Sequence, residues 1–169
     1  IKGGICAPNG FVGNAVSCGI KNPDSDRLDL ALIYSNVPCQ SAGAFTQNRV
    51  KAAPVRMTQS HLRANPVRAI ISNSGNANAC TGVTGLADAR VMAKETGKLL
   101  GIRQREVAVT STGVIGIPLP MARITPKFEE LVTGLEPKKG NEIAKAIITS
   151  DTIEKEFAIS FDYEGTRIR

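Results

Sequence analysis

Two strand candidates, each followed at once by a loop that contains glycine, constrain the fold of this chain more than any other feature. Residues 67–71 precede a small polar loop at 72–82, and residues 106–110 precede a second loop at 111–116. Short apolar runs that end in glycine-containing turns are typical of buried strands. The sequence therefore predicts two strands whose ends each lead into a loop able to approach a ligand.

Helical patterns alternate with these strands. After the first loop, apolar residues recur at helical spacing and Gly101 is placed to end the helix. A second helix is predicted with Thr125 as its cap and Pro126 in its first position. The predicted apolar faces are Leu86, Ala89, Ala93 and Leu100 in the first helix, Phe128, Leu131, Val132 and Leu135 in the second, and Ile143, Ala146 and Ile147 in a shorter third. Strands and helices in this order predict an α/β chain.

Other segments give weaker strand signals. Residues 28–32 alternate between leucine and smaller or polar residues. Residues 50–57 predict a strand that lies at a sheet edge or contains a bulge, because Pro54 lacks an N–H donor. Residues 157–161 predict a half-buried strand, which Glu164 and Gly165 turn into a hairpin partner. Residues 1–25 are rich in turn formers and predict an irregular entry. Because the chain stops partway into the hairpin, we expect the polypeptide to continue or a second chain to complete the sheet.

Charge and composition exclude several classes of function. The net charge is +6, but the basic residues are scattered and aromatics make up only 4% of the chain. A solvated basic surface fits better than nucleic-acid binding. No apolar run reaches the length of a membrane span, and the first residues do not resemble a signal peptide. The four cysteines have no metal-ligand spacing, so we expect no metal, and we interpret them as free thiols of a cytoplasmic protein.

The loop at 111–116 is the better catalytic candidate of the two. The hydroxyl of Thr112 and the amide of Gly113 could together hold a developing oxyanion, since glycine lets the backbone approach a ligand closely. A tight strand-to-helix turn explains the same residues equally well. Composition favours a plain turn for the loop at 73–82 over an anion site. Residues 149–152 cluster hydroxyls and a carboxylate after a helix, as either a substrate contact or a polar loop.

A complete triad is not predicted. His61 is the only histidine and the nucleophile elbow is absent. A serine or cysteine nucleophile with a histidine base is therefore poorly supported.

Seven segments together resemble one family, the glutamate N-acetyltransferases, also called ornithine acetyltransferases. They cover nearly the whole chain in the family's order, and the asparagine-rich segment is the most specific. The segments are DLAL at 29–32, AGAFTQN at 42–48, AAPV at 52–55, NSGNANACTG at 73–82, STGVIG at 111–116, LPM at 119–121 and TSDT at 149–152. The resemblance is to the N-terminal, or α, part of the family.

The resemblance implies a fold and an activity. The fold would be a layered α/β/β/α-type sandwich similar to N-terminal-nucleophile hydrolases, with residues 1–169 as a single α-chain domain completed by a β chain. Acetyl would pass from N-acetylornithine to glutamate through an acyl-threonine on the β chain, which autocatalytic cleavage releases. The assembly would be an α2β2 heterotetramer. The family needs no cofactor, although some members also use acetyl-CoA as a donor.

The family's functional residues fall on three positions of this chain. Its oxyanion hole corresponds to Thr112 and Gly113, and a substrate-binding threonine corresponds to Thr149. The family more often has threonine where this chain has Ser150, which keeps a hydroxyl.

Two other classes of function remain open. A related self-processing aminopeptidase or hydrolase would use the same loop with water as acceptor, and assay with glutamate separates the two. A non-enzymatic basic binding module would show salt-dependent affinity for nucleic acid.

Overall fold

A computed structural model describes residues 1–64 and 67–169. The strands are β1 (Phe11–Val16), β2 (Leu30–Ser35), β3 (Ala69–Asn73), β4 (Val107–Ser111), β5 (Phe161–Tyr163) and β6 (Thr166–Ile168). The helices are α1 (Ala53–Ala64), α2 (Gly82–Leu100), α3 (Met121–Ile124), α4 (Phe128–Thr133) and α5 (Gly140–Ile147). The predicted α/β class is confirmed.

The first four strands form one mixed sheet in the order β1-β2-β3-β4. β1 pairs antiparallel with β2, and β2 pairs antiparallel with β3. β3 and β4 run parallel, with Asn73 opposite Ser111 at their carboxyl ends. Because β2 runs the other way, its first residue, Leu30, is also opposite Asn73. The end of β1, the start of β2 and the ends of β3 and β4 therefore meet at one edge of the sheet.

Helices cover the two faces of this sheet unequally. Leu30 and Leu32 of β2 point into the larger core, where they pack with residues of α1, α2 and α4. Ala31, between them, belongs to a smaller core with Ile143 and Ala146 of α5. Side chains alternate between the two faces of a strand, so consecutive residues of β2 pack into the larger core on one face and the smaller core on the other. The resemblance implies that a β chain completes the α/β/β/α-type sandwich, and this completion stays a prediction.

The predicted edge strand at 50–57 is wrong, because α1 begins at Ala53. Ala53, Met57 and Thr58 are buried, which is helical spacing. Pro54 lies in the first turn, where the missing N–H would have no partner within the helix anyway.

The irregular entry predicted for residues 1–25 is also wrong, because it contains β1. The strand was not predicted because the polar side chain of Asn14 interrupts its apolar pattern. It is only 3% exposed, and its Nδ2 donates to the carbonyl oxygens of Glu130 and Leu131 at 3.1 and 3.0 Å. A buried polar group in a strand removes the apolar alternation from which strands are predicted.

The predicted cap of the second helix is wrong, and its apolar face is confirmed only in part, because Leu135 packs on the core but lies beyond the end of the helix. Thr125 is not the N-cap of α4. It follows α3, where its amide donates to the Met121 carbonyl oxygen, and it opens a 3₁₀ turn, Thr125–Lys127, in which Pro126 occupies the first turn. α4 then begins at Phe128, which is buried together with Leu131. The helix predicted after the first loop is confirmed, and Gly101 ends it with a left-handed backbone, φ 67°.

The half-buried strand predicted at 157–161 is wrong, but the hairpin is confirmed. Phe157 is 87% exposed and lies outside any strand. The hairpin joins β5 to β6 through Glu164 and Gly165, whose φ values of 46° and 75° are those of a tight two-residue turn.

Candidate active site

The two predicted loops lie side by side at the carboxyl ends of β3 and β4. Beyond the strands, the Thr112 amide donates to the Asn73 carbonyl oxygen at 3.0 Å and the Val114 amide donates to Gly75 at 3.3 Å. The Ala77 amide donates back to Val114 at 2.9 Å. The parallel ladder therefore continues into both loops, and each loop fixes the backbone of the other.

Gly113 is held where no other residue fits. Its φ of 134° is one that L side chains rarely adopt. A Cβ built on it would lie 2.3 Å from the carbonyl carbon of Gly75 and 2.5 Å from the amide nitrogen of Asn76. The close approach of the two loops thus depends on this glycine.

Two hydrogen-bond donors of the second loop have no acceptor in the described part of the chain. Within residues 1–64 and 67–169, no group accepts a hydrogen bond from the Thr112 hydroxyl or from the Gly113 amide. Thr112 is half-buried and Gly113 is exposed. Adjacent donors on a rigid loop are the arrangement that stabilises an oxyanion.

The asparagines of the first loop are structural. Asn73, Asn76 and Asn78 are at most 4% exposed. Asn73 Nδ2 donates to the Asn76 carbonyl oxygen at 2.8 Å, and Asn76 Nδ2 donates to the carbonyl oxygens of Ile117 and Pro118 at 2.9 and 3.1 Å. Asn78 Nδ2 donates to the Gly85 carbonyl oxygen at 2.8 Å. Because these side chains are used inside the protein, they brace the loops rather than face a ligand, as the turn interpretation predicts.

A cavity of 420 Å³ opens at this edge of the sheet. It brings together Gly113 and Thr149, which lie far apart in the sequence. Thr112, one residue away from Gly113, is not among the residues that line it. The lining residues are Lys21, Asn22, Ser25, Arg27, Asp29, Ser74, Gly75, Gly113, Val114, Ile148, Thr149 and Ser150.

Thr149 reaches the cavity because the segment after α5 is tied to the start of β2. The guanidinium of Arg27 donates to the carbonyl oxygen of Ile148, the residue before Thr149. Thr149 is exposed, and Asp151, two residues on, pairs with Lys155.

Sequence reasoning missed three charged residues of the cavity: Lys21, Arg27 and Asp29. Lys21 and Arg27 lie in an irregular segment without periodicity, and in the sequence Asp29 belongs to the alternating pattern that predicts a strand. Asp29 is buried, and its two carboxylate oxygens accept the amides of Cys18 and Ile20 at 2.7 and 2.6 Å. A carboxylate directly after a turn-rich segment was the only available signal, because such residues often bond to nearby backbone amides.

The other reactive side chains serve structure. The Nδ1 of His61 donates to the Val107 carbonyl oxygen at 2.8 Å and joins α1 to β4. Burial, with the Asp29 carboxylate nearby, raises the pKa of Cys18 to about 12, so its thiol stays protonated. All four cysteines are free, as predicted, and Cys6 and Cys18 are buried like small apolar residues. Among the described residues, no helix is long and apolar enough to cross a membrane.

The fold and the site define an α/β protein with a cavity at the carboxyl ends of two parallel strands. Beside the cavity lie one backbone amide and one hydroxyl that have no acceptor among the described residues. Comparison with protein families matches residues 13–169 to the ArgJ family, and the chain belongs to that family.

Proteins named arginine biosynthesis bifunctional protein ArgJ are similar to this chain over nearly its whole length. That of Symbiobacterium thermophilum is 42% identical over 168 residues, which are 99% of this chain and 42% of the relative. That of Thermotoga neapolitana is 47% identical over 163 residues, which are 95% of this chain and 40% of the relative. This chain therefore spans about two fifths of the length of the curated relatives it matches.

Two solved structures share the fold. The crystal structure of the Bacillus halodurans arginine biosynthesis bifunctional protein has a TM-score of 0.89 at 36% identity, covering 98% of this chain and 86% of that one. The Mycobacterium tuberculosis ornithine acetyltransferase, complexed with ornithine, has a TM-score of 0.83 at 42% identity, covering 89% and 81%.

Proposed function

We propose that this chain is the α part of an acetyltransferase of arginine biosynthesis, which moves acetyl from N-acetylornithine to glutamate. The names of the relatives support the pathway, and the similar ornithine acetyltransferase supports the reaction. The chain supplies Thr112 and Gly113 as oxyanion donors and Thr149 as a substrate contact. The nucleophilic threonine lies on a β chain cut from the same precursor, in an α2β2 assembly.

One observation carries this proposal. The Thr112 hydroxyl and the Gly113 amide are adjacent donors with no acceptor in the described part of the chain. Gly113 also lines the cavity that contains Thr149. An amide that already donates a hydrogen bond within the protein could not donate to a reacting group. An outward-facing amide without an acceptor needs no rearrangement when negative charge develops on the carbonyl oxygen of that group.

The chemistry proceeds in two matched halves. The threonine hydroxyl attacks the acetyl carbonyl carbon of N-acetylornithine, and its proton passes to the threonine's own α-amino group. That proton then moves to the nitrogen of ornithine as the C–N bond breaks, which leaves an acyl-threonine ester. The amine of glutamate attacks the ester, and N-acetylglutamate leaves as the threonine hydroxyl recovers its proton. Each half passes through a tetrahedral oxyanion, which the Thr112 and Gly113 donors stabilise.

Neither His61 nor Cys18 is suited to act as the base or the nucleophile of the proposed reaction. His61 is bonded to a backbone carbonyl, and it lines a different cavity with Arg56 and Arg90. The raised pKa of Cys18, about 12, keeps this thiol protonated at neutral pH, which does not suit a nucleophile. An N-terminal threonine would need neither, because its α-amino group titrates near neutrality.

Exposed apolar residues support the proposed β-chain partner. They concentrate near the carboxyl end, where most of the segment has no strand partner beyond the short β5–β6 hairpin. Apolar surface of this kind is covered in protein interfaces. The residues are Ile153, Phe157, Ile159, Phe161, Tyr163 and Ile168, which are 38–87% exposed. A cytoplasmic location fits the four free cysteines.

The test is a transfer assay with the full-length protein that contains this chain. N-acetylornithine and glutamate should give ornithine and N-acetylglutamate with ping-pong kinetics, and intact mass should show an acetylated polypeptide that begins with threonine. Acetyl-CoA, offered in place of N-acetylornithine, tests the second donor. Release of free acetate without transfer to glutamate would contradict this proposal and support the hypothesis of a self-processing hydrolase.

A further inference from the structure

Two glycines place Lys21 next to the oxyanion loop. A Cβ built on Gly75 would lie 3.0 Å from Lys21 Cβ and 3.2 Å from its backbone nitrogen. Gly75 is in turn the residue against which Gly113 packs. Lys21 therefore packs on Gly75, and Gly75 packs on Gly113. Because neither glycine has a side chain, the lysine lies close to the proposed oxyanion site.

Arg27 brings a second cation to the same cavity. Its guanidinium donates to the Ile148 carbonyl oxygen, which fixes it beside Thr149. A guanidinium has five N–H donors, so this hydrogen bond leaves others for a ligand.

The positive charge of the two side chains exceeds the negative charge of the cavity lining. Asp29 is the one carboxylate among the described lining residues, and both of its oxygens accept hydrogen bonds from backbone amides. Among the described residues, no carboxylate pairs with Lys21 or Arg27. Two cations without an ion-pair partner in one cavity are suited to a carboxylate, to which such groups make short charge-assisted hydrogen bonds.

We propose that Lys21 and Arg27 bind the α-carboxylate that N-acetylornithine and glutamate share. This inference rests on the proposed function. In a ping-pong reaction the two amino acids occupy one site in turn, and their side chains end in opposite charges. The carboxylate beside the reacting nitrogen is the charged group common to both. Anchoring it sets that nitrogen at the same point relative to Gly113 in both halves of the reaction.

A substrate without the α-carboxylate tests this directly. N-acetylputrescine is N-acetylornithine with that carboxylate replaced by hydrogen. In the full-length enzyme, Lys21→Met should lower kcat/KM for N-acetylornithine about 10- to 100-fold, mainly through KM, because one charge-assisted hydrogen bond is lost. The value for N-acetylputrescine should stay unchanged. Arg27→Met should act in the same direction.

Lys94→Met is the matched control, since it removes the same charge from an exposed position of α2. It should alter neither substrate's kinetics. Equal losses for both substrates in Lys21→Met would assign Lys21 to structure and overturn the subsite, as would unchanged kinetics with N-acetylornithine.

Calorimetric binding separates failure of this inference from failure of the proposed function. If the wild-type protein does not transfer acetyl, the proposed function fails. Tighter binding of N-acetylornithine than of N-acetylputrescine, lost in Lys21→Met, would then still establish the carboxylate subsite. Equal binding of both compounds by wild type would overturn it.

Discussion

Gly113 packs so closely on Gly75 that a Cβ at Gly113 would stand 2.3 Å from the Gly75 carbonyl carbon. The contact joins the loop after β3 to the loop after β4, and hydrogen bonds between Val114 and both Gly75 and Ala77 lock it. Among the described residues, the Gly113 amide also has no hydrogen-bond acceptor. The glycine whose missing side chain permits the loop packing is therefore also a donor of the proposed oxyanion site.

Gly113→Ala should damage both stability and activity. The new methyl group must displace the Gly75 backbone, and alanine is strained at a φ of 134°. We expect a loss of about 1–3 kcal/mol in the free energy of unfolding, measured by denaturant titration, with a larger proportional loss of kcat. Gly116→Ala is the control, because a Cβ there meets no atom within 4 Å although its φ is also positive. Equal effects at both positions would show that backbone strain alone explains the result.

Thr112→Val should lower kcat with little effect on stability, since it keeps the shape and removes the donor. One oxyanion donor is worth about 10²–10³-fold in kcat. Thr112→Ser keeps the hydroxyl and should retain much of the activity. If self-cleavage uses the same donors, a time course of the precursor on a denaturing gel should slow in parallel. A wild-type kcat in Thr112→Val would reduce this loop to a structural turn.

Thr149→Val should weaken the enzyme through substrate binding while the fold stays intact. Loss of one hydrogen bond to a charged group costs roughly 1.5–3 kcal/mol, read from kcat/KM for both substrates. Thr133→Val, on the exposed end of α4, is a control for the loss of a threonine hydroxyl. Unchanged kinetics with N-acetylornithine and glutamate would place Thr149 outside the site.

Asn76→Ala should loosen both loops at once. The change removes the donor to Ile117 and Pro118 and leaves the Asn78 amide, which donates to Asn76 Oδ1 at 2.8 Å, without its acceptor. A buried donor left unsatisfied costs about 1–3 kcal/mol of unfolding free energy. Asn9→Ala, at an exposed position, should be near neutral. Equal unfolding midpoints for the two variants would show that the asparagine network does not hold the loops.

Residues 1–169 expressed alone should transfer no acetyl, because the proposed nucleophile lies on the partner chain. Exposed apolar side chains such as Phe157 should also lower its solubility. The full-length precursor, expressed in parallel, is the positive control. Robust transfer by the isolated chain would contradict the split-site interpretation.

The core elements of the fold followed from the sequence where local signals agreed. The helix ending at Gly101 and the two strands before the glycine loops have apolar periodicity, and the second of these loops sits beside the cavity. β1 did not follow, because Asn14 is buried by a contact with α4, more than a hundred residues later. The edge strand predicted through Pro54 failed because proline fits the first turn of a helix as well as a sheet edge.

The sequence by itself determined which residue types could hold an oxyanion, since a threonine and glycine after a buried strand carry that chemistry locally. Only the tertiary structure decided which residues share the cavity. Parallel pairing of β3 with β4 puts their two loops at one edge, and the reversed direction of β2 brings Lys21, Arg27 and Asp29 there as well. The Arg27 contact with Ile148 then adds Thr149. Strand direction and long-range contacts are properties of the whole sheet, which no local pattern encodes.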